Sequence, residues 1–236
     1  PEQMLEAVQE GWEAGFRAFK IRMDWNSNRQ DADPRKDLEM FRLVRERLPE
    51  EISLSFDANN GYSVGTAITQ GKRFQELGIA HFEEPVPQYD YQGLRQVADA
   101  LDVPVSSGEQ EHTRWGFRDL ILHANPDILQ PDIVTSGGIS EVRRIYTLAE
   151  TFNKPVMPHC PSAGIAVAAS LHLYCTLTNA VRPHEYSYEF SGGAEAAAGV
   201  FRAPLNLSDG FVDVPDSPGL GLTLDDEAVA ALAVNE

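Results

Sequence analysis

Five ionisable residues recur along this chain at a nearly constant interval. Asp57, Glu83, Glu109, Asp132 and His159 stand 26, 26, 23 and 27 residues apart, each just after a short apolar or β-branched run. Three carboxylates aimed at one spot raise each other's pKa and cannot all stay ionised without a counter-charge. A hard divalent cation resolves that conflict. The all-oxygen set Asp57, Glu83 and Glu109 suits Mg²⁺, which keeps positions open for water or a substrate oxygen. Any one of these acids alone reads as a surface group of an acidic protein; three at matching register read as metal ligands. Asp132 and His159 come from the next two runs. A carboxylate bonded to one imidazole nitrogen fixes the tautomer and raises basicity, leaving the other nitrogen to take a proton. A structural His–Asp hydrogen bond is common, but a place on the same rim, one unit beyond the acids, favours a catalytic pair.

Lys20 and Arg22 lie two residues apart on an earlier run, so both side chains point to one face of a strand. Two cations on the inner face of a barrel need an anion, and a substrate carboxylate beside the metal supplies one; exposure on an edge strand is the alternative. Cys160, next to His159, reads as a small buried residue rather than a nucleophile. His81, His112, His123, His172 and His184 lack such a setting and read as core or surface residues, although His112 and His184 lie close after strand ends.

These residues need elements to hold them in register. Short runs at 19–22, 52–56, 79–82, 103–105, 128–130 and 155–158 alternate with stretches of helical period at 2–17, 34–48, around Ile68 to Leu77, around Leu94 to Leu101, 139–152 and 163–178. Asp33 as N-cap and Pro34 at the first helical position open the second helix, and Gly78 closes the third. Strand–helix–strand at one pitch is a parallel sheet of βα units. Groups at equivalent strand ends converge at the C-terminal mouth of a closed barrel, whereas an open sheet splays them along an edge. A barrel is therefore expected over residues 1–190, with residues 191–236 as a tail.

Composition narrows the partners. Acids outnumber bases 36 to 19 in 236 residues, a formal charge of −17, which argues against nucleic acid and anionic lipid. No apolar run approaches the ~18–20 residues that span a bilayer, and residues 1–12 lack the pattern of a signal peptide. Cys160 and Cys175 make no disulfide framework, so a reducing cytoplasm is the simplest compartment.

The motifs FKIR (19–22), FDANNGY (56–62), FEEPVP (82–87), SGEQE (107–111), QPDIVTSGGIS (130–140) and PHCPSAG (158–164), with PGLGL near residue 220, together resemble the enolase superfamily in its mandelate racemase subgroup. The resemblance implies a TIM-type (β/α) barrel in which the second to eighth strands are visible. The N-terminal capping domain and first strand have no counterpart in this sequence, which is expected to be a fragment whose tail packs on the barrel and on that cap. It further implies Asp57, Glu83 and Glu109 as Mg²⁺ ligands, Asp132–His159 as the base, and Lys20 and Arg22 at the family's Lys-x-Lys pair. Glu185 matches an acid on the eighth strand, with Glu189 as the second candidate.

One departure bears on the reaction. Arg22 stands where the family has a second lysine, and a guanidinium with a pKa above ~12 is a poor base. His159 is then the one credible base, which favours dehydration over racemisation. The stretches RQDADPRKD, YDYQGLR, EHTRWGFRDL and MPHCPSAG resemble acid-sugar dehydratases, among them the rhamnonate type. The expected activity is Mg²⁺-dependent dehydration of an aldonate or aldarate to a 2-keto-3-deoxy acid through an enediolate, by a homo-oligomer acting on a small acid sugar. A racemase or epimerase of a 2-hydroxy acid, and a non-catalytic acid-binding barrel, are the alternatives.

Overall fold

A computed structural model describes residues 1–23, 29–161, 164–187, 199–203, 205 and 207–232. After a first helix, α1 (Glu2–Glu13), strands and helices alternate: β1 (Ala18–Arg22), α2 (Pro34–Arg47), β2 (Ser53–Asp57), α3 (Val64–Glu76), β3 (Phe82–Glu83), α4 (Tyr91–Ala100) and β4 (Val105–Ser107). Then come α5 (Thr113–Asp119), a π-helical turn at Leu120–Ala124, β5 (Ile128–Leu129), α6 (Ile139–Thr151) and α7 (Ile165–Tyr174). The strands pair in parallel in chain order, β1 to β5. Val156 adds a single parallel bridge to Leu129.

Closure is visible in the side chains. Lys20 on β1 reaches Glu185, in the segment 183–187 beyond α7, at 2.9 Å. Glu83 on β3 is touched both by Lys20 and by Gln130, which follows β5. Side chains from opposite ends of a flat sheet cannot meet this way, so the sheet curls into a barrel around them.

Each strand divides its residues between that axis and the helices. Phe56 and Phe82 face outward and stack with Phe41 of α2 and Phe74 of α3, with Phe56–Phe74 ring centroids 4.6 Å apart. Burying each phenylalanine contributes about 2–3 kcal/mol. By strand alternation Ser55, Asp57, His81 and Glu83 then face inward.

Caps set several boundaries. Asp33 accepts the Lys36 N–H at 3.2 Å ahead of Pro34, and Asp90 accepts the Gly93 N–H at 2.8 Å to open α4. α1 stops at Glu13, short of the expected residue 17, because Gly15 takes a left-handed φ of 100°. α7 is likewise shorter than the expected 163–178. The tail forms a hairpin of β6 (Leu207–Ser208) and β7 (Phe211–Val212), followed by α8 (Asp226–Leu232). Its turn presses on the turn before β1 so closely that a Cβ on Gly210 would overlap the Gly15 carbonyl oxygen. No helix among the described residues is long and apolar enough to cross a membrane.

Candidate active site

At the C-terminal end of the strands, Asp57, Glu83 and Glu109 each offer a carboxylate oxygen within 4.8 Å of the others. Asp57 and Glu83 end β2 and β3, while Glu109 follows β4 across Gly108, whose φ of 133° turns the chain. Lys20 contacts Glu83 closely, Glu185 at 2.9 Å and Asp57 at 3.8 Å. Glu185 is fixed from its other side, where Oε2 accepts the Cys160 backbone N–H at 2.7 Å. Glu189 lies outside the described residues. Arg22, half-buried, ends β1 in register with Asp57.

The dyad is formed. His159 Nδ1 lies 2.9 Å from Asp132 Oδ2, and Nε2 lies 3.5 Å from Glu109 Oε2. An ionised carboxylate only accepts, so Nδ1 carries the hydrogen and Nε2 is left toward the acid cluster. Asp132 is held in turn by the N–H groups of Val134 and Thr135 at 2.6 and 2.9 Å. Burial alone would raise the Asp132 pKa, but the bonds from His159, Thr135 and Val134 bring it below the usual value. Burial alone would lower His159; its bond to Asp132 and the nearby Glu185 and Glu109 raise it instead.

The acid cluster is less settled. Burial and Glu83 push Asp57 up to about 8, against the pull of Lys20. Burial also raises Glu109, only partly offset by His159. Glu83 runs the other way, because Lys20 and His81 outweigh its burial. Glu84, absent from the expectations above, is buried beside them and is raised to about 9 by burial and then by Glu109, Asp57 and Glu83. The Asn60 amide donates to it at 2.8 Å and Gln110 at 3.1 Å. One lysine does not balance this many acids. The donor set, three hard oxygens with no thiolate, fits a divalent cation such as Mg²⁺, whose charge would offset both the burial and the repulsion that hold Asp57 up.

One layer below the rim lie Ser55, His81 and Gln130, all buried polar side chains that sequence reasoning missed as a group. The available signal was position: each stands two residues before Asp57, Glu83 or Asp132 and so shares its face. His112 braces a loop through Thr135 O at 2.9 Å, and His184 bonds Ser170 Oγ at 2.8 Å.

A parallel barrel with acids and a His–Asp pair on one rim defines a (β/α)-barrel of the enolase type. The chain belongs to the family described as Enolase C-terminal domain-like, which matches residues 3–228. It is 32% identical over 214 residues to an arabinonate dehydratase of Saccharolobus solfataricus, covering 90% of this chain and 54% of that protein. It is 35% identical over 219 residues to a D-galactarolactone cycloisomerase of Agrobacterium fabrum, covering 91% and 56%. A mandelate racemase/muconate lactonizing protein of Paracoccus denitrificans, complexed with magnesium, superposes with a TM-score of 0.91 at 36% identity, over 98% of this chain and 61% of that one. The chain thus spans about half the length of these curated relatives.

Proposed function

We propose that this protein is an Mg²⁺-dependent acid-sugar dehydratase, with residues 1–190 as the catalytic barrel and 191–236 as a tail packed on it. The observation that carries the reading is the juxtaposition of the Asp57–Glu83–Glu109 cluster with the Asp132–His159 pair, whose Nε2 is 3.5 Å from Glu109. Relatives at about a third identity that are named dehydratases support it.

Asp57, Glu83 and Glu109 would hold the metal, which when bound supplies Lewis-acid stabilisation of the charge that develops on the substrate carboxylate. Lys20 and Arg22 add positive charge beside it. His159 Nε2 takes the α-proton while Asp132 holds the ring by Nδ1–H. The imidazolium then returns that proton to the β-hydroxyl, which leaves as water. The enol that remains tautomerises to the 2-keto-3-deoxy acid. Glu185, held between Lys20 and the Cys160 N–H, stands ready to donate to the developing anion when protonated.

The test is a screen of aldonates and aldarates in deuterated buffer with Mg²⁺, on the parent and on His159→Asn. A keto product from the parent, with a loss of about 10²–10⁴ in α-proton exchange in the variant, is expected. Parent-like exchange in His159→Asn would require another base. A cycloisomerase reading is favoured by the 35% identity to the galactarolactone enzyme; with aldarolactones added to the same screen, it appears as a lactone consumed with no water released.

A further inference from the structure

Among the described residues, Glu83 is the member of the acid cluster held from below. It is wholly buried, and both its oxygens are engaged: Oε1 by Lys20, Oε2 by the Gln130 amide Nε2 at 2.6 Å. His81 Nε2 faces the same Oε2 at 3.5 Å, and His81 Nδ1 is 2.7 Å from Ser55 Oγ. Ser55, His81 and Gln130 are almost without solvent contact. We propose that Ser55, His81 and Gln130 form a cradle of positioning residues that fixes the Glu83 carboxylate in one orientation for the metal, with His81 as its Nε2–H tautomer. This rests on the assignment of Glu83 as a metal ligand.

Donor and acceptor matching decides the tautomer. If Ser55 donates to Nδ1, the hydroxyl hydrogen is satisfied and Nε2–H points at the carboxylate. If Nδ1–H donates to Ser55 instead, two electron-rich groups, the Nε2 lone pair and Glu83 Oε2, face each other in a buried space, and the serine hydrogen has no partner among the described residues. Gln130 obeys the same rule. Its Nε2 must face Glu83, since a flipped amide would set oxygen against oxygen. The cost is that Gln130 Oε1 is buried without a hydrogen-bond partner among the described residues, and His81 Nε2, at 3.5 Å from Glu83, faces the carboxylate without a full hydrogen bond. An amide that gives up one bond in the interior to keep the other is placed for the carboxylate, not merely for packing.

The experiment titrates Mg²⁺ alone into the full chain by calorimetry, beside melting curves in EDTA and ¹⁵N spectra of the histidine rings. Gln130→Met, close in shape but without the donor, is expected to weaken Mg²⁺ binding by about 10- to 100-fold. Ser55→Ala, the milder change, is expected to weaken it several-fold and to shift His81 toward a mixture of tautomers. A packing role alone would lower the melting temperature at unchanged Mg²⁺ affinity, and that result overturns the cradle. So does an Nδ1–H ring for His81 in the parent, a readout that stands even if Gln130→Met does not fold. Glu83→Gln separates the two levels. Parent-like affinity in that variant overturns the metal assignment, whereas lost affinity there beside parent-like affinity in Gln130→Met overturns the cradle alone.

Discussion

The two halves of the rim hold their charges in opposite ways. In the dyad half, Asp132 is fully partnered, taking two backbone N–H groups and His159 Nδ1–H, and its pKa falls, while His159 Nε2 is left open toward the cluster. In the cluster half, Asp57 rises to about 8 and Glu84 to about 9, first because both are buried and then because neighbouring acids repel them. The first half is complete from its own chain. The second is built with a charge conflict that a bound cation would relieve. A site can therefore be preorganised in its His–Asp pair and frustrated in its acid cluster at once.

The sharpest way to break this contrast is Asp57→Asn. It should remove Mg²⁺ binding from the range of calorimetry and abolish turnover. In EDTA at pH 8 the same variant should melt roughly 2–4 °C higher, if relieving the conflict is worth about 1 kcal/mol. A variant that binds no metal and also melts lower would mean that the cluster is held by contacts this account omits.

A pH titration sharpens it further. The Asp57 carboxyl keeps its proton in the metal-free folded state between its ordinary 3.8 and about 8, where the unfolded chain has lost it. Stability without metal should therefore fall as pH rises through that window, and Mg²⁺ should remove the fall. Mg²⁺ affinity should climb by about tenfold per pH unit until near pH 8, then level off. Asp132 has the opposite sign: its contribution is present above the ordinary aspartate value and is lost as pH drops through its lowered pKa. Calorimetry and melting curves from about pH 5 to 9 read the Asp57 effect, and melting curves extended down to about pH 2 read that of Asp132. An affinity flat across pH 6–8 would show that Asp57 is already ionised.

The smallest effect is expected at Arg22. Arg22→Lys keeps a cation on β1 but loses the planar fork, a change on the order of 1–3 kcal/mol in rate or orientation. Substrate recovered after partial reaction in deuterated water should keep its configuration. Appearance of the opposite α-epimer in the parent would place a second base on the cluster half and replace dehydration by epimerisation.

What the sequence made legible follows from spacing. The near-constant interval between Asp57, Glu83, Glu109, Asp132 and His159 foretold one rim, and the structure gathers all five there. The barrel was legible from the same pitch, although β3 and β5 are only two residues long and Val156 makes a lone bridge. α5 and its π-helical turn escaped notice because Trp115 is exposed while Phe117 is buried, which leaves no clean apolar stripe over seven residues. The layer of Ser55, His81 and Gln130 escaped for a different reason. Alternation puts each on the inner face, but which of them meet depends on the stagger of strands around the barrel, and a single chain does not spell that out.

The contact between Gly15 and Gly210 sets a timetable for the nascent chain. The turn that leads into β1 is synthesised 195 residues before the hairpin turn that covers it. At ~5–20 residues per second, that surface stays uncovered for roughly 10–40 s while the ribosome finishes the hairpin. The turn that leads into the Lys20 strand is thus exposed throughout that interval, and a chaperone arriving then would find it still open.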